Sequence, residues 1–239
     1  LCIGSLAAGE ARLAHIFQDN MVLQRDALVP VWGWADPGTT VEVAFAGQQV
    51  GAEADTDGYW KFVLEPLAVS NEGSSLEARI GDSTITRKNV VVGEVWLAAG
   101  QSNMNHSGPD LATGLYPHHV SSTEAGRPDV RITRFGAGAY LEPQADINPV
   151  ERGQTLWTIL PSNTVVKSLN IPTGFARLLR DKLDVPVGII HVAVSGTNQG
   201  AWMHRNETKR NEQDFSHRGA DERSLLDGAL RRGSGEREA

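Results

Sequence analysis

The pattern of hydrophobic and polar positions along this chain changes near residue 90. Before that point, short segments such as Thr40–Phe45 alternate apolar and polar side chains, and turn-forming residues such as Gly81 and Asp82 separate them. Alternation with a period of two predicts strands with one buried face. We therefore expect residues 13–89 to form a small antiparallel β-sandwich-like domain.

From residue 90 onward the apolar runs are longer. Val90–Ala99 and Val187–Val194 predict buried strands, and Val130–Phe135 predicts a further strand. A helix is predicted over 171–183, with Pro172 in its first turn. Its apolar residues recur at helical spacing and give one apolar face: Ile171, Phe175, Leu178, Leu179 and Leu183. Strand, helix and strand in this order fit a right-handed crossover, so residues 90–203 are expected to be an α/β domain.

Two of these strands end in short polar turns. Gly100 is followed by Gln101, Ser102 and Asn103, and the later strand runs into Ser195–Thr197. Open α/β sheets bind ligands at the carboxyl ends of their strands. A glycine there permits a sharp turn and leaves a following serine hydroxyl uncrowded, as a nucleophile requires. The alternative interpretation is that both segments are ordinary polar turns.

Composition and charge narrow the class of protein. The 239 residues are 40% hydrophobic and 21% charged, which is typical of a soluble globular chain. A formal net charge of −7 argues against nucleic-acid binding. No apolar run reaches the length of a membrane span, and Cys2, the one cysteine, excludes an internal disulfide.

The two ends of the sequence carry expectations of their own. Leu1–Gly9 is small and apolar like the end of a signal peptide, so residues 1–12 are interpreted as a signal-peptide remnant of a periplasmic or extracellular protein. The alternative is a frayed N-terminus. Residues 204–239 are rich in charges of both signs, and we expect a polar, disordered tail there.

Several separate segments, in the right order, resemble the sialate O-acetylesterase family of carbohydrate esterases in the SGNH-hydrolase superfamily. The resemblance runs from about Ile16 to Met203 and is carried by Phe17–Arg25, Val29–Gly38, Asp57–Trp60, Gly93–Met104 and Val185–Trp202. It implies a flavodoxin-like α/β/α hydrolase domain, here partial, after a β-sandwich-like domain. It also implies hydrolysis of acetyl esters on carbohydrates, with an acetylated sugar as substrate and no metal or organic cofactor.

The resemblance assigns roles to individual residues. It makes Ser102 the nucleophile, and it makes the backbone N–H groups of Ser102 and Gly196 the oxyanion hole. Oxyanion donors of this kind typically contribute a few kcal/mol each. Members usually have glycine where this chain has Ser195. Without the resemblance, Gly196 would be interpreted as an ordinary turn glycine.

Three further residues are expected near the substrate. Gln101 and Asn103 flank the nucleophile, and Trp202 is a candidate for lining the substrate cleft. Trp32, Trp34 and Trp60 are expected to fill the core of the sandwich, the alternative being a platform on which a sugar stacks.

The general base is the least defined part of the predicted site. The family's Asn block and its C-terminal Asp-x-x-His are not visible in the sequence. Asp214 and His217 have that spacing, but chance alone accounts for such a match, so they remain weak candidates. His191 lies in a predicted strand and is expected to be a hydrogen-bonded core residue.

Two hypotheses about activity follow. The first is a carbohydrate O-acetylesterase that works through an acyl-serine intermediate. The second is a truncated family member that lacks a base and acts at most as a sugar-binding module. The charged segment 204–239, which stands where the family has its C-terminal half, motivates the second.

Overall fold

The structure is a computed structural model, and it describes residues 11–105, 127–134, 146, 157–160, 171–194 and 196–197. The predicted tail at 204–239 and residues 1–10 of the predicted signal remnant lie outside these ranges. The chain divides into two compact units. The first comprises Leu1–Val95 and Asp184–Gly188, and the second comprises Trp96–Leu183 and Ile189–Ala239.

The described residues form strands and two helices, here numbered in chain order. The strands are β1 (Arg12–Leu13), β2 (Val22–Gln24), β3 (Val29–Trp34), β4 (Thr40–Phe45), β5 (Gln48–Glu53), β6 (Tyr59–Leu64), β7 (Ser70–Ile80), β8 (Ser83–Gly100), β9 (Arg127–Arg134), β10 (Trp157–Leu160) and β11 (Val187–Ala193). The helices are α1 (Ser102–Asn105) and α2 (Ile171–Leu183).

The first unit is built from antiparallel strands in two sheets. One sheet has the order β1-β3-β6, and in the other β4 lies between β5 and β7, with β7 paired to β8. Ile80 pairs with Ser83 across Gly81 and Asp82, which confirms the predicted turn and makes it a hairpin. β2 joins β8 as a parallel neighbour.

The predicted alternation in β4 is confirmed, whereas the tryptophans divide between two faces. Val41, Val43 and Phe45 are all buried. Trp60 is 2% exposed and belongs to the core. Trp32 and Trp34 point to the other face of β3 and are only half-buried. The expectation that all three fill the core is therefore wrong for these two, because successive strand residues point to opposite faces.

In the first unit, the end of the segment Phe17–Arg25 makes two hydrogen bonds to β8. Arg25 Nε donates a hydrogen bond to Glu94 Oε1 at 2.8 Å. The backbone N–H of Val95 donates to Gln24 Oε1, also at 2.8 Å. Both bonds supplement the parallel pairing of β2 with β8, so the end of this segment fixes the strand that leads to Gly100.

In the second unit the strand order is β10-β9-β11-β8, with β9 and β10 antiparallel. β8 continues without a break to Gly100, as the apolar run predicted. However, Trp96 and Leu97 are 45% and 40% exposed, so this part of β8 is not the fully buried strand we expected. Trp96 instead makes an edge-to-face contact with Phe175 of α2, with ring centroids 5.2 Å apart.

Helix α2 forms where it was predicted, but it buries a different face. The residues inside are Pro172, Thr173, Ala176 and Arg177. Phe175 and Leu178 on the predicted apolar face are 40% and 53% exposed. The helix packs against β9, and Arg180 pairs with Asp129 of that strand.

Candidate active site

The serine turn, which we define as Gln101–Asn105, follows directly from the last residue of β8. It is one turn of helix, in which the Met104 N–H donates to the Gln101 carbonyl at 2.9 Å. Met104 also packs over Gly100. A Cβ atom on Gly100 would lie only 2.8 Å from Met104 Cγ, closer than real Cβ contacts allow. The glycine before the serine is therefore required by a close approach of the turn.

Ser102 is the first residue of α1 and is partly buried. Its hydroxyl donates a hydrogen bond to Gln101 Oε1 at 3.0 Å. Over the described ranges this is the hydroxyl's one hydrogen bond, so no side chain described there stands in the position of a general base. Asn103 lies in α1 beside Ser102, and its side chain lies outside what the structure describes.

The second predicted junction is the turn after β11. Gly196 is exposed and has φ +84°, a left-handed conformation that favours glycine. Thr197 is 6% exposed, and its hydroxyl donates to the Val194 carbonyl at 2.9 Å. The threonine therefore braces the turn that carries Gly196. Its role went unnoticed in the sequence, where a buried hydroxyl leaves no pattern.

One backbone hydrogen bond joins the two junctions. The Val194 N–H donates to the Gly100 carbonyl at 3.0 Å. Val194 and Gly100 each stand two residues before a predicted site residue, Gly196 and Ser102. The carboxyl ends of β11 and β8 therefore lie side by side, which is where α/β sheets place their ligands.

Four sequence-predicted candidates lie outside the described residues. They are Trp202, Asp214 and His217, together with the side chain of Asn103, and Ser195 also lies outside what the structure describes. The structure thus brings together the two backbone junctions, while the base pair and the aromatic cleft residue stay predictions.

His191 differs from the expectation of a satisfied core residue. Its side chain is buried at 2% exposure, but among the described residues its Nε2 atom has no hydrogen-bond partner. Burial lowers the pKa of the imidazole below its ordinary 6.5, and the nearby Arg134 guanidinium lowers it further, while a hydrogen bond to the Met104 backbone raises it. The ring is consequently neutral at pH 7.

Metal and membrane features give no further candidate in the described part of the chain. Over those residues no group of three or more His, Cys, Asp and Glu side chains is placed to hold a metal ion. Likewise, neither helix described there is long and apolar enough to cross a membrane.

The chain has a mixed α/β fold, and Ser102 follows directly after a strand of its sheet. Both features are typical of α/β proteins whose sites lie at the carboxyl ends of strands. Comparison with known proteins identifies the family within that class. Residues 92–218 match the family model described as carbohydrate esterase, sialic acid-specific acetylesterase. Because this match covers more than half of the chain, the protein belongs to that family.

Individual relatives agree with the assignment. The chain is 26% identical over 210 residues to the sialate O-acetylesterase of Mus musculus and 27% identical over 216 residues to that of Homo sapiens. Each match covers 83% of this chain but only 38% and 40% of the relative, respectively. The structure of a carbohydrate acetylesterase from Xanthomonas citri is similar with a TM-score of 0.76 at 26% identity, over 92% of this chain and 48% of that one. The chain therefore spans less than half the length of these relatives.

Proposed function

We propose that this chain is a carbohydrate O-acetylesterase that hydrolyses acetyl esters on sugars through an acyl-serine intermediate on Ser102. Family membership supports the reaction class and the acetylated carbohydrate as substrate. The observation that carries the proposal is the Val194–Gly100 hydrogen bond. It aligns the strand ends that lead to the nucleophile and to Gly196.

The first half of the reaction forms a covalent ester. Ser102 Oγ attacks the acetyl carbonyl carbon while its proton passes to the general base. Negative charge develops on the carbonyl oxygen, which the N–H groups of Ser102 and Gly196 stabilise. The sugar oxygen then leaves with the proton from the base, and the acetyl group stays on Ser102.

The second half releases the acetyl group. Water gives a proton to the base and attacks the acyl carbon. The base then returns the proton to Ser102 Oγ as the ester bond breaks, and acetate leaves. A histidine oriented by an aspartate is the base that this scheme requires. Within the sequence, Asp214 and His217 have the spacing of such a pair.

The experiment is acetate release from O-acetylated sialic acid and from acetylated xylan. We compare the unaltered chain with Ser102→Ala and with Ser83→Ala, which removes an exposed hydroxyl in the hairpin of the first unit. The proposal predicts that Ser102→Ala abolishes release, while Ser83→Ala leaves it unchanged. Full activity in Ser102→Ala would overturn the assignment.

The same assay tests the alternative of a catalytically incompetent sugar-binding module. That alternative predicts no acetate release from any of the three proteins, together with binding of the acetylated sugar. If the unaltered chain is active, then Asp214→Asn and His217→Gln test the base pair separately. Loss of activity in both variants supports the pair, and retained activity removes it.

A further inference from the structure

Gln101 stands at the cap position of α1, but its side chain does not cap the helix. The residue just before a helix is usually Ser, Thr, Asp or Asn, whose side-chain oxygen accepts a hydrogen bond from a backbone N–H of the first turn. Among the described residues, the side-chain oxygen of Gln101 instead accepts its hydrogen bond from the Ser102 hydroxyl, at 3.0 Å. Helix capping therefore does not explain a glutamine at this position.

The backbone on both sides of the Gln101 side chain is held by hydrogen bonds. The Gly100 carbonyl accepts from the Val194 N–H at 3.0 Å, and the Gln101 carbonyl accepts from the Met104 N–H at 2.9 Å. The amide group itself is tied to Ser102 through Oε1. An exposed glutamine normally samples many rotamers. These three bonds restrict the positions that the Gln101 amide takes beside the nucleophile.

The nitrogen of the same amide keeps its full capacity to donate. A glutamine NH₂ group has two N–H donors, and over the described ranges no residue accepts a hydrogen bond from Gln101 Nε2. Gln101 is exposed, so both donors are available to a ligand. Because Oε1 and Nε2 belong to one planar group, the bond between Oε1 and the Ser102 hydroxyl also limits where Nε2 stands relative to Oγ.

We propose that Gln101 is a specificity-determining residue: its Nε2 donors bind a hydroxyl or ring oxygen of the sugar next to the acetyl group that Ser102 attacks. A few placed polar groups of this kind, Gln among them, fix the orientation of a small ligand in its site. The hydroxyl and ring oxygens of a sugar are acceptors, whereas an acetyl ester without such oxygens leaves the donors unpaired. Ser102 keeps its proton until the base takes it, so the bond to Oε1 persists while the sugar binds. The inference rests on the proposed function, because it requires Ser102 to be the nucleophile.

Two acetyl esters separate recognition of the sugar from the chemistry of the serine. O-acetylated sialic acid carries sugar oxygens beside the acetyl group, whereas p-nitrophenyl acetate has the same acetyl group and neither hydroxyl nor ring oxygen. Gln101→Met removes the amide and keeps an unbranched side chain. Gln49→Met, at an exposed position of β5, is the matched control.

The proposal predicts a change in the ratio of the two kcat/KM values. In Gln101→Met, kcat/KM for the sialic acid ester is expected to fall roughly tenfold relative to kcat/KM for p-nitrophenyl acetate, as the loss of one hydrogen bond to the substrate implies. Any effect of the lost Oε1 acceptor on Ser102 falls on both esters and leaves the ratio unchanged. Gln49→Met is expected to change neither value.

The possible failures are distinguishable. An equal loss on both esters would overturn the inference, because Gln101 would then act on Ser102 and not on the sugar. Unchanged values on both esters would overturn it as well. If Ser102→Ala retains activity on both esters, the proposed function itself fails.

A binding measurement decides the matter without turnover. The side-chain amide signals of Gln101, assigned with Gln101→Met, are followed in nitrogen-15 spectra while N-acetylneuraminic acid and then xylo-oligosaccharides are added. These sugars are the deacetylated forms of the two assay substrates. The proposal predicts that one of them shifts the Gln101 NH₂ signals and leaves those of Gln49 in place. Gln101 signals that stay in place with both sugars would overturn it, even if the chain releases no acetate.

Discussion

Replacing Gly100 by alanine tests the packing of the serine turn. The new Cβ would meet Met104 Cγ at 2.8 Å, about 0.6 Å inside the 3.4 Å at which ordinary contacts begin. The contact is with the Met104 side chain, so the clash must be relieved by a shift of that side chain or of α1, to which Met104 belongs. Overpacking of this kind typically costs about 1–3 kcal/mol. We therefore expect Gly100→Ala to lower the free energy of unfolding by that amount.

A shift of α1 would also move Ser102 and lower the rate of acetate release. A misplacement of 1 Å at a reacting group costs about 10²-fold in rate, so a shift of roughly half that size is expected to lower acetate release about tenfold. Urea denaturation measures the stability, and initial rates on O-acetylated sialic acid measure the activity.

Gly174 provides the matched control for this substitution. It lies inside α2, and nothing stands within 4 Å of the position its Cβ would take. Gly174→Ala is therefore expected to stabilise the chain by about 0.5–1 kcal/mol, because alanine favours the helix, and to leave activity unchanged. If Gly100→Ala behaves like Gly174→Ala in both assays, the close approach of the serine turn is refuted.

Two further predictions concern the second unit. Ala176 is fully buried, so Ala176→Leu is expected to destabilise the chain by about 1–3 kcal/mol in urea denaturation. Leu178 is 53% exposed, so Leu178→Ala is expected to cost well under 1 kcal/mol in the same assay. The reverse order of the two costs would mean that α2 buries its apolar face. Because the pKa of folded His191 is lowered from 6.5, the unfolded chain binds the extra proton first as pH falls. The resulting stability is present above pH 6.5 and is lost as pH falls through the lowered pKa, by at most about 1.4 kcal/mol per pH unit. Urea midpoints from pH 8 to 5 measure this dependence, and the difference between the unaltered chain and His191→Asn isolates it; no difference in slope would contradict the lowered pKa.

The strands of this chain could be predicted closely from local pattern. Thr40–Phe45 forms with the predicted bounds, because a period of two follows from strand geometry alone. The helix 171–183 was predictable for the same reason, since its spacing is local. Local pattern does not reveal which face of an element meets a neighbour.

That limit explains the error on α2. Its apolar residues predicted a buried stripe at Phe175 and Leu178, yet Thr173 and Ala176 are the buried positions. The burial of Arg177 and the pairing of Arg180 with Asp129 depend on where β9 lies, and sequence spacing carries no such information. Trp32 and Trp34 were misplaced similarly, because aromatic character indicates burial without indicating a side of the sheet.

The parts of the candidate site that lie in a local sequence motif could be predicted from the sequence. The parts that depend on contacts between distant strands could not. Gly100 and Ser102 were visible because a glycine and a serine follow a strand directly. The link from Val194 to Gly100 arises only when β11 and β8 become neighbours. The burial of His191, whose Nε2 atom has no partner among the described residues, likewise depends on tertiary packing, and no sequence signal distinguishes this histidine from one that serves only packing.

The most direct test of the central claim is to locate the reactive serine. The chain is treated with a fluorophosphonate, which forms a covalent bond with an activated serine hydroxyl, and its peptides are mapped by mass spectrometry. Our account predicts one adduct, on the peptide that carries Ser102, and no adduct in Ser102→Ala. An adduct on another residue, or equal labelling of Ser102→Ala, would contradict the claim that Ser102 is the nucleophile.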